Sequence, residues 1–130
     1  MTLVDHTKTT QTRTVAIALR EDGILHIRAL PGTEQGSSDV AENLDVCRQV
    51  LGGKKAPILV DIRRSPILDR QGRQAYAIQT NFALAQAILV DSAFSRIAGN
   101  LFVRVAHPKH PTRLFTSEDE AVLWLREFLP

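Results

Sequence analysis

The chain has 130 residues, a length that suits one domain with its own apolar core. Hydrophobic residues make up 44% and charged residues 23%, and the net charge of only +2 speaks against nucleic-acid binding, which needs a dense basic surface. One cysteine excludes an internal disulfide. Because the sequence also lacks a signal-peptide pattern and a long apolar span, we expect a cytoplasmic protein.

The N-terminal part predicts a tail followed by a hairpin. Residues 1–12 lack apolar periodicity and are expected to form a flexible tail, so that a single domain covers residues 13–130. Apolar residues then alternate over residues 15–19 and again over residues 25–29, with an Asp-Gly turn signal between them. This pattern predicts an antiparallel hairpin.

The middle of the chain alternates helix and strand signals. Residues 40–51 carry apolar side chains at helical spacing. Residues 58–60 form a continuous apolar run, as expected in a central strand that is covered on both faces. A second helix is predicted over residues 69–79 and a second buried strand over residues 85–90.

The strongest apolar stripe of the chain predicts a third helix, with Leu101 and Phe102 in the core. A short strand at residues 113–115 and a last helix introduced by Ser117 follow. The complete order is β-β-α-β-α-β-α-β-α. This order predicts an α/β fold with four helices and a mixed sheet of five strands, antiparallel only at the first hairpin and parallel thereafter.

The segment DIRRSPILDRQG, residues 61–72, places acids and arginines where a predicted strand ends and the next helix begins. In an open α/β sheet, ligands bind outside the carboxyl ends of strands, and a helix N-terminus there presents free N–H groups. Arginine adds bidentate recognition of phosphate or carboxylate. The candidate ligand or partner site therefore comprises Asp61, Arg63, Arg64, Asp69, Arg70, Gln71, Gly72 and Arg73.

A structural alternative explains the same segment. Here Asp61 and Asp69 pair with the arginines, and Asp69 also caps the helix. We prefer this alternative, because acids that pair with arginine or cap a helix are commoner than acids in a functional pair. Both interpretations place the two aspartates next to guanidinium groups.

The element order, together with these residues, resembles the STAS domain of the SpoIIAA-like anti-sigma-factor antagonists. In that family the third strand ends in an aspartate, and eight residues later an Asp-Ser-Ser-Gly segment starts the next helix. Asp61, Asp69 and Gly72 stand at the corresponding spacing. Arg70 and Gln71 replace the two serines, of which the second is phosphorylated in the family, so the resemblance implies the fold but not the phosphorylation switch. The C-terminal part resembles an uncharacterised bacterial STAS/SEC14-like branch.

Two further groups of residues are candidate sites. Arg96, Asn100 and Arg104 recur every four residues and so share one stripe of the third predicted helix, a secondary basic surface that could meet an acidic protein or anionic lipid. The simpler interpretation is a solvated helix face. His107 and His110 have a chelating spacing but lack further ligands, so neither a metal site nor a cofactor is predicted.

The sequence carries no nucleophile elbow, phosphate-binding loop or dinucleotide motif, so we expect no catalysis. His26 alternates with apolar residues in its strand and is expected at the surface. The sequence favours a non-catalytic STAS-like regulatory or interaction module that binds a protein or a small anion, with a homodimer as a further option. The alternative is a carrier or sensor of a small apolar ligand with peripheral membrane contact, because the third predicted helix is rich in apolar residues.

Overall fold

The computed structural model describes residues 9–32, 36–63, 81–106 and 109–130. These ranges contain six strands and three helices. In chain order the elements are β1 (Thr9–Gln11), β2 (Val15–Leu19), β3 (Leu25–Ala29), α1 (Ser37–Leu51), β4 (Ala56–Asp61), β5 (Ala83–Leu89), α2 (Ala93–Ala106), β6 (Thr112–Phe115) and α3 (Glu118–Arg126). The helix predicted over residues 69–79 lies outside the described residues.

All six described strands form one sheet, and their order in the sheet follows their order in the chain. The first three strands are antiparallel, whereas β3, β4, β5 and β6 run parallel to one another. The predicted α/β class, the mixed sheet and the initial hairpin are therefore confirmed. The parallel strands end at one edge of the sheet, so β4 and β5 present their last residues, Asp61 and Leu89, side by side.

The predicted number of five strands is wrong, because Thr9–Gln11 forms a sixth strand within the segment expected to be a tail. This strand, β1, pairs antiparallel with β2, and all three of its residues are exposed. An edge strand that is exposed on both faces needs no apolar alternation, so it leaves no periodic signal. Its two threonines are β-branched and suit a strand.

One face of the sheet is covered by α1. The predicted apolar stripe of this helix is buried, which confirms the assignment: Val40, Leu44, Cys47 and Leu51. The helix ends at Gly52, whose φ of 59° is left-handed and whose N–H is bonded to two carbonyl groups of the last turn. Burial raises the pKa of the Cys47 thiol to about 12, so this thiol stays protonated and unreactive at neutral pH.

A buried polar contact fixes α1 against the antiparallel strands. Asn43 is 1% exposed and accepts a hydrogen bond from the Thr12 hydroxyl at 2.6 Å through its Oδ1. Its Nδ2 donates to the Thr14 hydroxyl oxygen at 3.0 Å. Because buried amides are costly without partners, these bonds fix the position of α1 as well as offsetting the burial of Asn43.

The opposite face is covered by α3, which begins at the predicted cap. The Ser117 hydroxyl accepts a hydrogen bond from the Glu120 N–H at 3.3 Å. From α3, Ala121, Val122 and Leu125 pack against a second apolar cluster formed mainly by β4 and β5. Together with α1, this helix encloses the central strand β4, whose six residues are all buried.

α2 packs beside the last strand, β6, through a glycine and an asparagine. A Cβ atom on Gly99 would collide with the side chain of Leu114 unless that side chain moved, so glycine permits this close approach. Asn100 Oδ1 accepts a hydrogen bond from the Leu114 N–H at 2.8 Å, and its Nδ2 donates to the Leu114 carbonyl at 3.4 Å. The register partner of Leu114 is Ile88, which packs with the α1 cluster, so α1 and α2 lie on the same face.

The prediction that Leu101 lies in the core is wrong, because its side chain is 60% exposed. Gly99 and Asn100 direct another side of α2 towards the sheet, and Ile97 and Leu101 are consequently left on the outside. The side chain of Phe102, the other residue expected in the core, lies outside the described part of the structure.

Candidate functional site

The carboxyl end of β4 carries the first candidate site. Asp61 is the last residue of this strand and is buried, with Arg28 of β3 and Leu89 of β5 as its neighbours in the sheet. Arg63 folds back onto its carboxylate. Arg63 Nε donates to Oδ1 at 2.9 Å, Nη2 donates to Oδ2 at 2.7 Å, and the backbone N–H donates to Oδ1 at 3.0 Å. This fork is the bidentate geometry that makes arginine–carboxylate pairs strong.

A second acid completes the arrangement around Arg63. Arg63 Nη2 also donates to Glu118 Oε1 at 3.2 Å, so that one guanidinium group joins the end of β4 to the first turn of α3. Burial alone would raise the pKa of Asp61, but the hydrogen bonds and the charge of Arg63 outweigh burial and lower this pKa overall. Asp61 is therefore a carboxylate at neutral pH, and it is a weak base.

His26 lies among the charges of the same face, and the expectation that it is simply a surface residue is wrong. Its ring is half-buried, and its Nε2 is buried without a hydrogen-bond partner. Burial lowers the pKa of His26, whereas the charges of Glu118 and Asp61 raise it and those of Arg20 and Arg28 lower it. Strand alternation directs the ring towards the face on which α3 packs, and this packing half-buries it. The net lowering of its pKa keeps the ring neutral at neutral pH.

These contacts bear on one part of the predicted anion site. Arg63 is paired with two acids through Nε and Nη2, which is the kind of contact that the structural alternative describes. The other residues of that prediction lie outside the described part of the chain: Arg64, Asp69, Arg70, Gln71, Gly72 and Arg73. The anion site thus stays a prediction for those residues. Glu118 was missed because it follows Arg63 by 55 residues and no local pattern links them.

The outward side of α2 forms the second candidate site. The α2 outer face consists of five exposed residues: Ala93, Ile97, Ala98, Leu101 and Arg104. Ile97 is 62% exposed and Leu101 is 60% exposed. Large apolar side chains that adjoin each other on a surface mark contact sites more often than those that stand alone. The apolar periodicity of α2 does not indicate which side of the helix faces β6.

The three residues of the predicted secondary basic surface differ in exposure and in contacts. Arg104 is exposed on the α2 outer face and Arg96 is half-buried, whereas the amide of Asn100 is bound to the backbone of β6. Further along the chain, the Arg113 guanidinium lies 5.1 Å from the ring centre of Phe115 and 5.7 Å from that of Trp124. Arg113 is therefore engaged by aromatic rings, a contact that sequence reasoning did not predict.

Of the two histidines that follow α2, the structure describes His110. His110 Nε2 lies 3.1 Å from the amide oxygen of the buried Gln86, and His107 is outside the described ranges. Burial lowers the pKa of His110. Among the residues that the structure describes, no three His, Cys, Asp or Glu side chains are grouped as metal ligands would be.

Comparison with known families gives a match over nearly the whole domain. Residues 17–129 match the family described as a domain of unknown function, DUF7793. The chain belongs to this family. Comparison with curated proteins gave no match. None of the helices in the described ranges has both the length and the apolar character needed to cross a bilayer.

Solved structures relate this DUF7793 domain to a known fold. An uncharacterised Shewanella loihica protein of the DUF3478 family, with a SpoIIAA-like fold, matches with a TM-score of 0.64 and 18% identity. The match covers 91% of this chain and 98% of that one, so the domain has a SpoIIAA-like fold. A protein of unknown function from Arthrobacter sp. FB24 is 28% identical over 84% of this chain and 96% of its own, with a TM-score of 0.34.

Proposed function

We propose that this protein is a non-catalytic, STAS-like interaction module that binds a protein partner through the α2 outer face. The observation that carries this proposal is the exposure of Ile97 and Leu101, 62% and 60%, on a helix whose other side is already fixed. Gly99 and Asn100 hold α2 against Leu114 of β6. The helix therefore cannot turn Ile97 and Leu101 inward without losing those contacts.

The contacts of Asp61 at the end of β4 support the proposal that the module is non-catalytic. Asp61 would be the natural general base there, but its oxygens accept three hydrogen bonds from Arg63 and its pKa is lowered. A general base needs a pKa near the working pH. The Asp61–Arg63–Glu118 contacts instead join β4 to α3.

The proposal is tested by co-purification from cells that naturally express the protein, with two matched variants. Leu101→Glu places a charge on the α2 outer face, and Leu123→Glu places one at a residue of α3 that is 67% exposed. We expect Leu101→Glu to lose a protein that co-purifies stoichiometrically with the wild type, while Leu123→Glu retains it. Mass spectrometry identifies the protein, and a second tag distinguishes another copy of the chain from a different protein.

Both substitutions are at exposed residues and should leave the thermal unfolding temperature in dilute solution nearly unchanged. A co-purified protein that Leu101→Glu retains would contradict the proposal, as would the absence of any bound protein from the wild type. The same preparations can be examined by native mass spectrometry. A small apolar molecule retained in place of a protein would favour the carrier alternative.

A further inference from the structure

We infer that the partner of the α2 outer face is a second copy of this chain, with the two α2 helices antiparallel about a two-fold axis. This inference rests on the proposed function and names the partner of the same surface. It begins from the spacing of the exposed residues. Ile97, Leu101 and Arg104 stand at i, i+4 and i+7 and therefore share one side of the helix, with Ala93 one turn before them.

The apolar centre of this face is complementary to itself. When two α2 helices cross antiparallel, Ile97 of each copy can pack against Leu101 of the other, so a single contact is made twice. Such isologous contacts are the basis of two-fold dimers. Ala93 and Ala98 flank the centre with small side chains, which permits the interaxial distance of about 8–10 Å that packed helices adopt.

The charges at the two ends of α2 select the antiparallel arrangement. Asp91, just before the helix, is exposed, and Arg104, near its end, is exposed as well. No other acid occurs between Asp91 and Glu118, whereas Arg96, Arg104, Lys109 and Arg113 are basic. Antiparallel helices bring the acid of one copy to the arginine of the other, while parallel helices would place like charges together.

The distances along the helix allow this pairing. At one of the two contacts, Leu101 of the first copy lies opposite Ile97 of the second copy. Arg104 of the first copy lies three residues after its Leu101, and Asp91 of the second copy lies six residues before its Ile97, in the same direction along the axis. At about 1.5 Å per residue, these positions differ by roughly 4.5 Å along the axis, which an arginine side chain can span. Both ion pairs form at once because of the two-fold symmetry.

The same charges disfavour other occupants. An anionic membrane surface would attract Arg104 but meet the exposed Asp91 at the other end of the face. A uniformly acidic protein segment would meet the same repulsion. A second copy carries both signs in the required order, so the pattern fits it best.

The test is a charge exchange followed by sedimentation equilibrium or light scattering over a range of concentrations. We expect the wild type to dimerise, and Asp91→Arg or Arg104→Asp alone to weaken dimerisation about tenfold, because each homodimer then contains two like-charge contacts. A mixture of the two variants should form heterodimers with nearly wild-type affinity, since both contacts again join opposite charges. Leu101→Glu should yield monomers, and Leu123→Glu should behave as the wild type.

A monomeric wild type, a dimer that survives Leu101→Glu, or a mixture that fails to associate would each overturn the inference. Its failure can be told from failure of the proposed function. If the wild type is monomeric but loses a different co-purified protein on Leu101→Glu, the interaction module stands and only the second copy is excluded. Binding of the monomer to phosphatidylserine vesicles through Leu101, with no protein bound, would overturn both. Circular dichroism of every variant checks that the fold is retained.

Discussion

The helices α1 and α2 lie on the same face of the sheet, yet large apolar side chains of the two helices differ in exposure. In α1 the stripe is buried, with Leu44 and Cys47 fully inaccessible, whereas Ile97 and Leu101 of α2 are more than half exposed. Both stripes have helical spacing, and by sequence that of α2 is the stronger. Apolar periodicity therefore shows that a helix has an apolar side, but it does not show what covers that side.

Truncation of one leucine in each helix tests this difference in exposure. Leu44→Ala should lower the free energy of unfolding by about 2–5 kcal/mol, because it leaves a cavity beneath α1. Leu101→Ala, measured in dilute solution, should lower it by less than about 0.5 kcal/mol, because the side chain is already in contact with water. Urea unfolding followed by circular dichroism measures both values.

If the two substitutions cost the same, the contrast between the helices would be lost. A large cost for Leu101→Ala would mean that its side chain packs within the monomer. A cost that appears only at high protein concentration would instead point to the dimer, since association adds to apparent stability.

The second comparison concerns the asparagine of each helix. Asn43 is buried, and Asn43→Ala would leave the buried Thr14 hydroxyl without this partner, so we expect a loss of about 1–3 kcal/mol. Asn100 is only half-buried and lies at the edge of the sheet, where water can replace it. Asn100→Ala should therefore cost about 1 kcal/mol.

Hydrogen exchange shows which part of the protein loses stability in each variant. We expect faster exchange of the Leu114 amide in Asn100→Ala, with little change around α1. In Asn43→Ala the change should instead be confined to α1 and to β2. Faster exchange throughout the chain in both variants would contradict the separate roles of the two asparagines.

The smallest expected effect is a difference in acid sensitivity between the two helix starts. At α1, Arg13 donates to Asp39 at 3.2 and 2.6 Å, and Asp39 accepts from the Gly36 N–H at 3.1 Å. The hydrogen bond from Arg13, then that from Gly36, lowers the pKa of Asp39 below its ordinary value of 3.8. At α2, the cap is the Ser92 hydroxyl, which does not titrate in this range.

Because the folded pKa of Asp39 is lowered, its contribution to stability is complete above pH 3.8 and is lost as the pH falls through the lower folded value. Asp39→Asn should remove this part of the acid dependence. Ser92→Ala should shift stability equally at all pH values. Urea unfolding between pH 2 and pH 7 measures both, and an unchanged acid profile in Asp39→Asn would show that the Arg13 contact contributes nothing.

The sequence predicted those elements whose signals are local and periodic. The hairpin of β2 and β3, the buried stripe of α1 and the cap at Ser117 follow from patterns spanning a few residues. β1 was missed because an exposed edge strand has no apolar period. The position of Leu101 was wrong because the orientation of α2 depends on Leu114, a residue far along the chain that Gly99 and Asn100 contact.

For the candidate site, the sequence predicted the pairing partners but not all of their connections. Asp61 and Arg63 are two residues apart, and their pairing is what the structural alternative to an anion site predicts. The link to Glu118 depends on how α3 crosses the sheet, and the half-burial of His26 depends on the same packing. Local sequence patterns therefore do not predict side-chain environments that are formed by segments distant in the sequence.

The side-chain amide of Asn100 also has a consequence for protein aggregation. β6 is an edge strand, and the Leu114 N–H and C=O groups are among those that an incoming strand from another molecule would use for pairing. Asn100 occupies both groups and so acts as a one-residue substitute for a seventh strand. Asn100 thereby protects this edge of the sheet from amyloid-like extension.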